Sequence, residues 1–317
     1  MKSGIKITVL VVMMAIGWSC DSGDSTLPAK ASGVPTLVEV TAVYDPERNL
    51  HLFKTDVESI PAGWTTFKLV NASPMVHFIF LDHLPGNRTS KELLTEVSPI
   101  FQQASYLITE GKVEEAYQHF STLPDWFGDI VFRGGPGFLS PGYTSEATLY
   151  LEPGNYVMEC YIKTVDGTFH WNLGMHADFR VSNELSNAVA PENATIEIFI
   201  TDEGLTVEGN PAPGDHMVAV HFQEQTPSFV QKDVHLIRLD EGVDIEDVTL
   251  WLDSMQAAGI VSTRDNPAPA VFLGGVHEMP AGNTAYFPVS LQPGDYAWIS
   301  EQPVAQAVYQ VFTVGSD

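Results

Sequence analysis

Leu151-Glu152-Pro153-Gly154-Asn155-Tyr156 and Leu291-Gln292-Pro293-Gly294-Asp295-Tyr296 are one pattern, Leu-x-Pro-Gly-x-Tyr, written twice in the same chain. Each closes a longer match that runs without gaps from Phe132 to Tyr156 against Phe272 to Tyr296 and keeps a Phe, a Gly-Gly pair, a later Gly and a Thr. Upstream, Val76-His77-Phe78-Ile79-Phe80-Leu81-Asp82 answers Val234-His235-Leu236-Ile237-Arg238-Leu239-Asp240. Further upstream, Val38-Glu39-Val40-Thr41 answers Ile196-Glu197-Ile198-Phe199. Blocks repeated in the same order mean an internal duplication, so the fold of one half is the fold of both.

Within each block, Val, Ile, Thr, Tyr and Phe alternate with polar residues, and 25 Gly and 21 Pro punctuate the 317-residue chain. That is the pattern of an all-β sandwich, whose strands bury every second side chain. Helical spacing appears in two places. Thr89 and Glu92 have capping-box spacing ahead of Leu93, Leu94 and Val97, opening an insertion that runs to about Phe120, and Asp244 precedes Val248, Leu250, Trp251 and Leu252. A polar, Ala- and Pro-containing stretch at 183–192 separates the copies, giving a first domain over 37–183 and a second over 195–317.

Forty acidic against fifteen basic residues give a formal charge of −25. Such a surface repels nucleic acid, which excludes that class of partner. At the N-terminus Lys2 and Lys6 precede an apolar run, Ile7 to Ile16, too short to span a bilayer comfortably, and then Gly17-Trp18-Ser19-Cys20. The pattern resembles a bacterial lipoprotein signal peptide (1–20). It implies lipidation at Cys20, a flexible tether over 21–36, and a protein held by lipid in the cell envelope, facing the periplasm or the exterior. A simple secretory signal is the alternative. With Cys20 so assigned, Cys160 is the one cysteine left, and no intramolecular disulfide is available.

Cys160 follows directly on the strand Pro-Gly-x-Tyr-Val157-Met158-Glu159. His170 and then Gly174-Met175 come after it, ahead of a last strand at Ala177 to Val181. This arrangement resembles the cupredoxin family of blue-copper proteins. The resemblance implies two tandem cupredoxin-like Greek-key β-sandwiches with short helical insertions, and one copper per chain, in the first domain. It also implies that His77, Cys160, His170 and Met175 are the ligands and that the chain exchanges electrons with a redox partner protein such as a cytochrome. A thiolate, two imidazoles and a weak axial thioether form a near-trigonal set that suits both oxidation states of copper. In the second copy His235 is kept, but Ser300 stands in place of the cysteine, and Glu301 to Val308 contains neither His nor Met.

The interval between Cys160 and His170 resembles that of the blue-copper domain of copper nitrite reductases. However, Glu159 stands where those enzymes have a histidine that leads to a second copper, and the His-Cys-His triplet of multicopper oxidases is absent. Electron transfer without catalysis is therefore expected. Two readings stay open beside it: a copper-free cupredoxin-like binding or scaffold lipoprotein, in which His77 and Cys160 are packing residues, and a copper sequestration or delivery protein. A second metal site from His216, His235 and His277 has no supporting spacing.

Overall fold

The first copy supplies β1 (Thr36–Asp45), β2 (Leu50–Lys54), β3 (Ser59–Asn71), β4 (Phe80–Leu84), β5 (Val131–Phe132), β6 (Thr144–Leu151), β7 (Gly154–Glu159) and β8 (His176–Leu185). The second supplies β9 (Ile196–Thr201), β10 (Gly204–Gly209), β11 (Gly214–Phe222), β12 (Val234–Arg238), β13 (Val271–Val276), β14 (Asn283–Leu291), β15 (Gly294–Ile299) and β16 (Tyr309–Val314). Their pairing repeats, but for one contact of β8. β1 lies parallel to β3 as β9 does to β11, and β3 is antiparallel to β6 as β11 is to β14. In the facing sheets, β4 lies between β5 and β7 as β12 does between β13 and β15, and β8 and β16 follow on β7 and β15; β16 ends its sheet, whereas β8 also pairs in parallel with the start of β3. These are the two tandem Greek-key sandwiches expected from the repeat.

This computed structural model describes residues 33–225 and 230–316. The signal peptide and Cys20 lie outside the described residues, as does most of the tether; at the tether's end Gly33 already pairs with Ala188, and β1 starts at Thr36. Period-2 burial fixes each sheet's inner face. β9 reads buried at Ile196, Ile198 and Ile200, and Phe67 and Leu69 of β3 are fully covered. Each such side chain removed from water stabilises the fold by roughly 1.5–3 kcal/mol.

The copies are fused over one continuous core within a single compact unit. The Gly-Gly segments of the Phe132–Tyr156 and Phe272–Tyr296 match pair with each other across the junction. Pro136 bridges Val276 and Leu139 bridges Leu273, and Gly137 and Gly274 donate N–H bonds to Gly275 and Phe138. This close approach accounts for the first glycine of each pair: a Cβ at Gly134 (φ 76°) would lie 3.0 Å from Met279 Cγ, and one at Gly274 (φ 105°) 2.5 Å from Ser145 Cβ, whereas the second glycine meets its own copy. At Gly135 (φ 120°) and Gly275 (φ 134°) a Cβ would lie 2.2 Å from the carbonyl oxygens of Ile79 and Val234 respectively.

Both sequence-read helix starts are present. Thr89 and Glu92 form the reciprocal capping box, and Asp244 caps the Ile245–Leu252 helix through the Glu246 N–H. The insertion continues through a single π turn at Leu93–Val97 into helices Ser98–Thr109 and Val113–Phe120. Ser90 ties it to β8, donating N–H and O–H bonds to the Asp178 carboxylate at 2.7 and 2.5 Å.

Candidate metal centre

The four residues named by the sequence come together at one end of the first sandwich. His77 sits between β3 and β4, locked to Leu139 by reciprocal backbone bonds (3.2 and 2.8 Å). Asn71 at the end of β3 braces this segment, its side-chain amide donating to the carbonyls of Met75 and Leu139 at 2.7 and 2.8 Å. Ser73 accepts or donates at His77 Nε2 (2.8 Å), which leaves Nδ1 facing inward. Such a bond to the outer nitrogen fixes the ring and its tautomer.

Cys160 follows β7 directly, and its N–H bonds the Met175 carbonyl at 3.2 Å. His170 opens a 3-10 turn, His170–Leu173, which ends on Gly174 in the left-handed region (φ 101°). That geometry lets the Met175 N–H reach back to the His170 carbonyl at 3.0 Å. The short Gly-Met element of the sequence is therefore the turn that folds Met175 back beside Cys160 and His170.

The donor atoms converge. His77 Nδ1 lies 3.6 Å from Cys160 Sγ and 3.3 Å from His170 Nδ1. Two nitrogens and a sulfur around one ion, at about 2.0 and 2.3 Å in a trigonal plane, stand roughly 3.5 and 3.7 Å apart, so the residues present fit a copper ion. All four side chains are fully buried. Burial pushes the Cys160 thiol up to about 12, against backbone N–H bonds from Ile162 and Phe78 that favour the thiolate. The thiol is thus protonated until a cation replaces the proton, and those N–H groups already wait for the charged form. Burial, with the other histidines beside them, holds His77 and His170 well below the usual imidazole range, in the neutral form a metal needs.

One residue at the site carries no sequence signal. His51 on β2, paired with Tyr44, stacks on His170 with ring centroids 3.7 Å apart and planes inclined by 14°. It is 2% exposed, and its Nδ1 has no hydrogen-bond partner. His51, His77 and His170 bring ring nitrogens within 4.8 Å of one another, close enough on distance alone for a three-histidine site. The stacking argues otherwise. Imidazole lone pairs lie in the ring plane, so nearly parallel rings a ring-thickness apart cannot both aim at one ion. His51 is a lid over His170, whose own Nε2 is buried without a partner.

In the second copy the equivalent place is filled by hydrogen bonds. Ser300 donates to Asp233 Oδ1 (2.9 Å), the Glu301 N–H bonds the same oxygen (2.7 Å), and His235 Nε2 lies 2.7 Å from Asp233 Oδ2. The Phe138 N–H takes His235 Nδ1, so neither ring nitrogen is free for a metal. Burial alone would raise Asp233; His235 and His277 beside it hold it below the usual carboxylate range. His277 does join His235, around Asp233, but His216 is bonded elsewhere, to Thr195 and the Ala212 carbonyl.

No protein-family model and no curated protein matches the chain. Among solved structures it is similar to auracyanin B (20% identity, 48% of this chain and 92% of that one, TM-score 0.28). It is similar to auracyanin A, described as a "blue" copper protein from the green thermophilic photosynthetic bacterium Chloroflexus aurantiacus (15%, 47% and 99%, TM-score 0.29). It is also similar to a multicopper oxidase (10%, 88% of each chain, TM-score 0.23). Likeness at these TM-scores adds no weight to the donor geometry, which stands on its own.

Proposed function

We propose that the first copy holds one copper ion between His77, Cys160, His170 and Met175 and that the protein is an electron carrier. The observation that carries the reading is the convergence of His77 Nδ1 with Cys160 Sγ and His170 Nδ1, at 3.6 and 3.3 Å, in a pocket closed to water. Bound copper would supply a one-electron couple. The chain's part is to hold the donors still: Ser73 fixes His77, backbone bonds tie Cys160, His170 and Met175 to one another, and His51 shuts out solvent. Donors that need not move between oxidation states keep the reorganisation cost of transfer low.

Export, lipid attachment at Cys20 and residence in the cell envelope belong to this proposal, as does a basic redox partner drawn by the acidic surface. Association with a cationic cytochrome is then expected to slow as ionic strength rises. Burial of all four ligands speaks against sequestration or delivery, for which a metal must exchange readily. The hydrogen-bonded Ser300–Asp233–His235 arrangement supports a copper-free structural role, but for the second copy.

The test is a copper titration of the whole chain, followed by visible absorption and spin resonance, with Cys160→Ser as the control. An intense band that saturates at one copper and vanishes in the variant is expected. A folded, colourless protein that binds no copper overturns the proposal and leaves a scaffold role.

A further inference from the structure

Behind the candidate metal centre, on the opposite face of β7, lies a cavity of about 500 Å³ that the electron-transfer reading does not use. Asp82 of β4 and Glu159 of β7 reach it from the first copy, Glu278 and Glu301 from the second. Its roof comes from the insertion, through Phe101 and Phe120, and further walls are Phe80, Phe127, Phe132, Phe169 and Trp171. None of the described residues that line it is a lysine, arginine or histidine. Lys163, whose charge is felt by Glu301, is committed to the carbonyls of Ser254 and Gln256.

Four carboxyl groups facing an aromatic chamber without a counter-charge are costly to bury if packing is all they do. Asp82 Oδ1 is buried and makes no hydrogen bond. Glu301 is braced by the Tyr161 hydroxyl, which donates to it at 2.8 Å. A cation would give these acids a partner, and the flat faces around them would hold its apolar body while adding cation–π attraction.

We propose that this cavity binds an organic monocation with an apolar body, of the aryl- or alkylammonium class, its charge set against Asp82, Glu278 and Glu301. Other ligand classes fit poorly. A bare divalent ion needs several oxygens close around one point, and among the described residues no three of these carboxylates bring their oxygens within 4.8 Å of one another. A cation can take the place of a proton on these acids, whereas an anion finds no partner on protonated acids and is repelled by an ionised one, and a neutral apolar molecule leaves them unpaired. The volume suits a small aromatic or branched amine.

The experiment is calorimetric titration of the full chain with phenethylammonium, phenyltrimethylammonium and hexylammonium, against the neutral 2-phenylethanol, the anion 3-phenylpropanoate and Ca²⁺. At least one cation is expected to bind at one per chain with a dissociation constant below about 1 mM, about tenfold or more tighter than the neutral probe. Tryptophan emission should change on binding, and Trp171→Phe should remove that change. The nearly isosteric Glu278→Gln/Glu301→Gln double variant should weaken the cation about tenfold or more while leaving 2-phenylethanol unaffected. Failure of all three cations with a folded chain overturns the proposal, as does equal binding of the neutral or anionic probe or preferential binding of Ca²⁺. None of these readouts depends on copper, so the two proposals fail separately.

Discussion

Ser300 stands where Cys160 stands in the first copy, in a buried turn of the same sandwich, so the chain itself shows that this position accepts a hydroxyl. Cys160→Ser should therefore abolish the visible band and yet cost the metal-free protein only on the order of 1 kcal/mol, because the Ile162 and Phe78 N–H groups can bond the new oxygen. Thermal unfolding of the two apo proteins checks this, and a collapse of the fold would mean that the thiol packs in a way the second copy does not share. His51 separates cover from ligand. If it only stacks on His170, His51→Ala should keep one copper and an intense band, while water entering above His170 lowers the reduction potential and speeds removal by a chelator. His51→Phe should restore both. Loss of copper in His51→Ala and His51→Phe alike would make His51 a ligand. The four ligand candidates were legible because they share a loop or a repeat block. His51 was not, since a single histidine on a short strand has no spacing, and the β1–β2 pairing that delivers it is a tertiary event.

Turns and caps were the most readable elements because their chemistry is local. Thr89 with Glu92 and the two Pro-Gly turns lie where the sequence puts them, and the Gly174-Met175 step is the turn its residues imply. What the insertion does was not readable: its helices roof a cavity whose other walls lie far along the chain. It is tethered at its start by Asp178, which takes both the N–H and the hydroxyl of Ser90. Asp178→Ala should leave those donors short of a partner and destabilise the protein by about 1–3 kcal/mol. Hydrogen exchange should then quicken over Ser90–Val97 before it does in β7. Uniform loosening of the whole sandwich would show that the insertion is not a separately tied element.

At the scale of the whole molecule, the duplication predicts strand order in each half, but the fusion of the halves could not be read, because the Gly-Gly segments and buried acids meet only when both copies are folded. That fusion sets how stability depends on pH. Burial pushes Asp82 and Glu301 up to about 8, and Glu159 and Glu278 also well above the carboxylate range, with neighbouring acids adding to the rise in each case but Asp82. Between the ordinary carboxylate pKa and 8, the folded protein keeps protons that the unfolded chain has released, so unfolding free energy falls as pH rises. Opposing groups act outside pH 6.5–8. His51 and His277 are lowered to about 4 by burial, and His77, His83, His170 and His176 are lowered too, so they cost stability on acidification, and only below the ordinary histidine value of 6.5. Lys163, lowered to about 8 by burial, acts between there and 10.5, and Asp233 acts below 3.8. Each raised carboxyl contributes at most about 1.4 kcal/mol per pH unit, or about 2 kcal/mol across this range, so the metal-free protein should lose roughly 2 kcal/mol from pH 6.5 to 8 if one of them holds its proton and at most about 8 if all four do. Its melting temperature should fall by several degrees over that range. Glu301→Gln, which cannot ionise, should flatten the slope. A wild-type melting temperature that is level or rising from pH 6.5 to 8 would mean that these acids are already charged and hydrated, and that the chamber they face is open to water.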